Sequence, residues 1–227
     1  MTDETKAWPK VGSPCKPTLN DKALYMLAAQ LDDLEDLRKA QDNRIRILTT
    51  ADVDSDGEKR GFGLTEDNPT VQNLLALQDG TKKLEHENIL QLQRAMRKNP
   101  LWDWAKTQKG IGEKTLARLL AAIGDPYVNG SEQTVRSVSQ LWAYCGLHTI
   151  PNPDGEENIA ARRMKGMQAN WSTVAKTRAY LIAEALVKSG VRKDENGERY
   201  ALTEYGQLYI DRRAHTAITH PEWTPGH

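Results

Sequence analysis

Two long stretches of this chain carry apolar residues every three or four positions. The first runs Leu24, Leu27, Leu31, Leu34, Leu37, Ile45 and Leu48, with Gln41 the polar exception at core spacing. The second runs Val71, Leu74, Leu77, Leu84, Ile89, Leu92 and Met96, with Gly80 inside it. That spacing lines one face of an α-helix. Asn20-Asp21 supply caps for the first helix. Asn68-Pro69, a cap followed by proline at the first helical position, start the second, and Asn99-Pro100 end it. Residues 51–67, rich in Asp, Gly and Ser, break between the two. Two long helices joined by one loop fold back as an antiparallel hairpin, here with a coiled-coil-like seam.

Shorter helices are expected near 101–107, 113–123 and 135–146, a longer one from about 167 to 189, and a last one over about 203–216. Pro151 to Gly155 read as a loop, and Asn196-Gly197 as a turn or tight hairpin. The expected fold is mainly α: a long antiparallel coiled-coil hairpin followed by a helical domain containing a helix-hairpin-helix. The expected divisions are a flexible arm over 1–19, the hairpin over 20–98 with its loop at 51–67, the helical domain over 99–217, and a tail over 218–227.

Charge is balanced overall but not along the chain. Residues 1–97 hold 14 basic and 17 acidic side chains, and residues 98–227 hold 17 basic and 14 acidic. A polyanion-binding surface therefore belongs in the second half. Cys15 and Cys145 make no disulfide framework. The first residues lack the apolar run of a signal peptide, and no stretch approaches 18 apolar residues. The expectation is a cytoplasmic protein with no membrane partner.

Residues 101–126, LWDWAKTQKGIGEKTLARLLAAIGDP, carry the main functional signal. A helix, a tight Gly110-Ile111-Gly112 turn and a second helix fit the pattern. The glycines permit backbone angles closed to other residues and clear side chains from the bend. Their amides, with those opening the next helix, form a site for an anion. Lys109 and Lys114 flank the turn, and Arg118 lies one helical turn beyond Lys114. Ile111 is expected to point inward, with Leu116, Leu119 and Leu120 packing against Leu101, Trp104 and Ala105. Such a site grips phosphate without reading bases. An ordinary helix-loop-helix with a glycine-rich turn has the same local pattern.

A second basic stretch lies between Asn158 and Ala183, which contains no acidic residue but holds Arg162, Arg163, Lys165, Lys176 and Arg178. These cations would neutralise phosphates and release counterions. Trp171 and Tyr180 are interleaved, either to stack on bases or as core and solvated face.

The ordered set Gly110-Ile111-Gly112, Leu119-Leu120-Ala121-Ala122-Ile123-Gly124-Asp125, Gln140-Leu141-Trp142-Ala143-Tyr144-Cys145-Gly146-Leu147 and Arg163-Met164-Lys165-Gly166 resembles a known family. It is similar to the C-terminal region of the transposases of the insertion-sequence one-hundred-and-ten family, relatives of the Piv DNA invertase, over about residues 101–190. The long helical hairpin resembles that family's coiled-coil insertion. The resemblance implies DNA, rather than RNA, as partner. It also implies an N-terminal RuvC-like domain with acidic metal ligands and a serine nucleophile in the loop after Gly146-Leu147. Residues before the bend read as two helices instead, and His148 to Lys165 contain no serine, with Thr149 the one hydroxyl. The reading is a transposase-like DNA-binding chain without catalytic residues, metal or cofactor, and with a homodimer through the hairpin.

Other readings stay open. One is a strand-transfer or nuclease subunit that borrows its acidic domain from another chain; another is a helical protein-binding adaptor. Asp52-x-Asp54-x-Asp56-Gly57 opens like a calcium loop, but the twelfth position is Gly63 rather than a carboxylate. The five histidines lack the spacing of a zinc helix.

Overall fold

The computed structural model describes residues 10–19, 21–53, 55–130, 132–152, 155, 158–162, 165–166 and 168–221. In chain order the elements are α1 (Lys22–Thr49), α2 (Pro69–Arg97), α3 (Trp102–Ala105), α4 (Glu113–Ile123), β1 (Val128–Asn129), β2 (Thr134–Val135), α5 (Val138–Tyr144), β3 (Thr149–Ile150), β4 (Ile159–Ala160), α6 (Thr173–Gly190), β5 (Val191–Lys193), β6 (Arg199–Ala201) and α7 (Glu204–Thr219). The protein is mainly helical, and among the described residues its sheets are two-stranded and antiparallel: β1 with β2, β3 with β4, and β5 with β6. Among the described residues no helix is long and apolar enough to cross a membrane. By contacts the chain divides into Lys22–Ala95 and a second unit of Met1–Asp21 with Met96–His227.

In Lys22–Ala95, α1 and α2 exchange side chains with residue numbers rising on one and falling on the other. Arg38 Nε donates to the Glu85 carboxylate at 2.7 Å, and the Gln78 amide donates to Asp42. Leu24, Ala28, Leu31, Val71 and Leu92 are buried, but so are Gln41, Gln78, Thr81 and Asn88. The sequence places Leu37, Leu77 and Leu84 in the seam, but all three are exposed. The seam positions beside them are taken by the polar residues. The chain after α1 folds back on that helix: Phe62 N–H donates to Ile47 O at 3.0 Å and Leu64 N–H to Leu48 O at 2.9 Å. In the acidic loop Asp56 pairs with Arg60, and Asp54 lies outside the described residues.

The second unit is built around α4, which packs on α6, while α6 packs on α7. Ile123, Cys145 and Ala175 form a buried cluster, joined by Leu119, Ala122 and Leu141. Burial pushes the Cys145 thiol up from its ordinary value, against a smaller opposing effect of Arg136. That fits a packing residue rather than a reactive one. Caps set the helix starts. Ser137 and Gln140 form a reciprocal capping box on α5, and the Ser172 hydroxyl accepts from Ala175 N–H at 3.1 Å on α6. Both helices therefore begin later than their apolar spacing suggests.

The expected flexible arm is a correction. Residues 10–19 are tied to the second unit, while residues 1–9 lie outside the described residues. Gly12 N–H donates to Val135 O at 3.0 Å, Val135 N–H to Ser13 O at 2.9 Å, and Cys15 N–H to Gln133 O at 2.7 Å. The buried Asp125 carboxylate then accepts from the main-chain N–H of Thr18 at 2.8 Å, Leu19 at 3.0 Å and Tyr127 at 2.9 Å. A proline-rich segment makes these bonds because its partners, not its own pattern, supply the ladder. Of the expected tail, 218–219 belong to α7, and 222–227 lie outside the described residues.

Candidate nucleic-acid interface

The bend between α3 and α4 has two glycines with opposite physical standing. Gly110 has φ +100° and is closed on one side: a β-carbon there would stand 2.7 Å from the Ala185 carbonyl oxygen, with the Ser189 hydroxyl nearer still. Ser189 Oγ lies 2.8 Å from both Lys109 O and Ala185 O, which share its single proton. The last turns of α6 thus hold the bend in place. Gly112 has ordinary extended angles, φ −100° and ψ 159°, and serves as the N-cap of α4 without a side chain to cap it. A β-carbon at Gly112 would meet nothing within 4 Å. Nothing inside the fold requires glycine there, and Ser, Thr, Asp or Asn would cap the helix at least as well.

The main-chain N–H of Ile111 donates to Gln108 O at 3.3 Å, and the Ile111 side chain is buried. The N–H groups of Gly110 and Gly112 have no protein partner among the described residues. Lys109 is exposed, while Lys114 and Arg118 are half-buried and already engaged in contacts. Leu116, Leu120 and Ala105 are buried behind the bend. Trp104, expected in that packing, is 47% exposed instead, because α3 is a single turn and presents that edge to solvent.

Glu113, the first residue of α4, was not singled out from the sequence. Its carboxylate is held below the usual glutamate range by its own main-chain hydrogen bond, against desolvation, with Arg97 adding to the lowering. Arg97 Nε donates to it at 2.8 Å. This carboxylate already answers part of the positive field of the helix start. It competes with any anion that approaches the bend.

The second basic stretch divides. Arg162 and Lys165 are exposed; Arg163 lies outside the described residues. Lys176 is turned inward: its ammonium donates to Ala161 O and sits 5.4 Å from the centroid of the Trp171 ring. It is a packing cation, because the half-buried Trp171 beside it gives the ammonium a ring face, and Ala161 a carbonyl, as partners. Arg178 is half-buried and engaged. Trp171 is held between Lys176, His148 at 5.8 Å ring to ring, and Gly146, where a β-carbon would strike its ring. It belongs to packing rather than to base stacking, whereas Tyr180 is exposed.

The two basic stretches do not converge. The bend is anchored at Ser189, and Ala161, next to Arg162, is held by Lys176, thirteen residues away on α6. At 1.5 Å per residue that is about 20 Å of helix. The structure also exposes Val138 and Trp142 one turn apart on α5, and stacks Arg136 over Tyr144 at 5.5 Å. No family model and no curated protein matches this chain.

Proposed function

We propose that this protein grips a nucleic-acid backbone, DNA in the first instance, through a helix-hairpin-helix centred on Gly110-Ile111-Gly112, and carries no recombinase chemistry of its own. The observation that carries the reading is the pair of unbonded amides at Gly110 and Gly112, at an exposed bend where the second glycine has no internal reason to be one. A phosphate oxygen accepts from these N–H groups at the start of α4, and Lys109 and Lys114 add charge. Contact of this kind is to the backbone and is indifferent to sequence. Arg162 and Lys165 extend the contact along the strand. The α1–α2 pair is a coiled-coil hairpin that joins one copy of the chain to another.

Lys109→Glu combined with Lys114→Glu tests this in a salt-titrated shift assay with duplex DNA. Binding weakens, and the slope of log affinity against log salt falls by about two, roughly one per phosphate contact. Unchanged affinity and slope would overturn the site.

A further inference from the structure

The outward leucines of α1 and α2 form a pattern. On α1, Leu37, Ala40, Arg44 and Ile47 follow at three- and four-residue spacing; on α2, Leu77, Gly80, Leu84 and Glu87 do the same. Each set therefore shares one helix face. Leu37, Ile47, Leu77 and Leu84 are exposed. The two faces open on the same side, because a cavity of about 120 Å³ is lined by Gln30 and Leu34 from α1 and by Leu84, Glu87, Asn88 and Gln91 from α2.

Two features of that side lack an internal explanation. Asn88 is 5% exposed, yet neither its Oδ1 nor its Nδ2 has a hydrogen-bond partner. A buried amide without partners is costly. Gly80 lies inside a long helix, where glycine is unfavourable, and a β-carbon there would meet nothing within 4 Å.

The charges along this side are sorted. Glu87 lies just beyond Glu85, whose bond to Arg38 sets it beside the Asp33 end of the stripe. Arg44 stands at the other end. Asp33 and Arg44 are eleven residues apart, about 16 Å of helix. Asp33, Arg44 and Glu87 are exposed and enter no ion pair among the described residues.

We propose that this side of the α1–α2 pair is the docking surface for a second copy of the chain, related to the first by a two-fold axis crossing the stripe near Ala40. A two-fold axis exchanges the ends of a patch. It sets Arg44 of each copy against Asp33 and Glu87 of the other. The leucines meet at the centre, Gly80 lets the backbones approach, and the second copy covers Asn88 with a polar edge. The proposal rests on the reading of the hairpin as the self-association element and is independent of nucleic-acid contact.

The full chain, freed of nucleic acid by nuclease and high salt, is examined by sedimentation equilibrium. Wild type sediments at twice the 25.5 kDa chain mass. Arg44→Glu alone, and Asp33→Lys with Glu87→Lys, each weaken the dimer by at least tenfold. Combining all three substitutions restores it. The positions are exposed, so helicity by circular dichroism is unchanged. A monomeric wild type would overturn self-association altogether. A dimer insensitive to the reversals, or one not restored by the combination, would overturn this surface alone. Lys109→Glu with Lys114→Glu leaves the dimer intact, separating this result from the fate of the bend.

Discussion

The two glycines of the bend are separable by experiment. At Gly110 an alanine meets two penalties. A positive φ costs an L-residue about 1–2 kcal/mol. The added methyl is driven into Ser189 Oγ and the Ala185 carbonyl, and overpacking of that kind costs about 1–3 kcal/mol. Gly110→Ala is therefore expected to lose about 3 kcal/mol. For a chain of this size that is about 6–12 °C in Tm. Adding Ser189→Ala relieves only the hydroxyl, since the Ala185 oxygen stays at 2.7 Å and φ stays positive, so recovery is partial. At Gly112 an alanine has allowed angles and open space. Its cost is the loss of an N-cap preference, under about 1 kcal/mol. Its methyl nevertheless stands where a phosphate would approach the amide. Gly112→Ala is expected to melt within about 3 °C of wild type while binding duplex DNA about tenfold more weakly by fluorescence anisotropy, a loss of about 1.4 kcal/mol. The reasoning fails if Gly110→Ala melts with wild type, or if Gly112→Ala binds with wild-type affinity.

Two further perturbations follow from named contacts. Asp125→Ala strips the acceptor from three main-chain N–H groups. Bonds to a charged acceptor contribute about 1.5–3 kcal/mol each and are not additive, so a loss of about 3–4 kcal/mol is expected, with faster tryptic cleavage after Lys10. Unchanged melting and cleavage would show that residues 10–19 are not held by this carboxylate. Glu113 has a folded pKa below the ordinary glutamate value. Its stabilisation is thus complete above the unfolded pKa and disappears as pH falls through the lower folded one. Glu113→Gln is expected to be less stable than wild type at neutral pH by about 0.5 kcal/mol, the scale of an exposed ion pair. The gap closes below the usual glutamate range, and the variant binds DNA more tightly because a competing carboxylate is gone. A gap that persists at low pH would remove the charge from the explanation.

The helices were legible where spacing and caps agree. Asn68-Pro69 and Asn99-Pro100 bracket α2 closely, and α4 spans Glu113–Ile123 as its apolar pattern suggests. The β5–β6 hairpin lies where Asn196-Gly197 marks a turn, but β1–β2 and β3–β4 were not legible, because a two-residue strand has no period to read. Their pairing also draws on residues 12–15, over a hundred positions from Gln133 and Val135. In the bend, the backbone angle that favours glycine was legible at Gly110 and is not found at Gly112, and what crowds Gly110 was not legible. Its neighbour on α6 is some eighty residues away, and nothing in the local pattern names Ser189. Lys176 misled for the same reason. A lysine in an acid-free stretch reads as a phosphate ligand until Trp171 and the Ala161 carbonyl are placed beside it.

The leucines of α1 and α2 misled in a more informative way. Spacing alone assigns Leu37, Leu77 and Leu84 to the seam, because a period of three or four cannot tell two adjacent helix faces apart. The structure gives the middle of the seam to Arg38 with Glu85, Gln78 with Asp42, and to Gln41 and Thr81. Buried polar residues in a two-helix seam specify register at a cost in stability. A seam with a polar centre buries less apolar surface than a leucine seam would, and the apolar surface left outside it is the stripe of Leu37, Ile47, Leu77 and Leu84. The polar centre and the exposed stripe are thus two sides of one arrangement: polar groups occupy the seam between α1 and α2, and the leucines left outside it form the surface proposed above for a second copy. Replacing the exposed Leu77 and Leu84 together with glutamate is therefore expected to lower the sedimenting mass toward that of a single chain while helicity by circular dichroism stays unchanged, and a mass that does not change would remove the stripe from the proposed dimer.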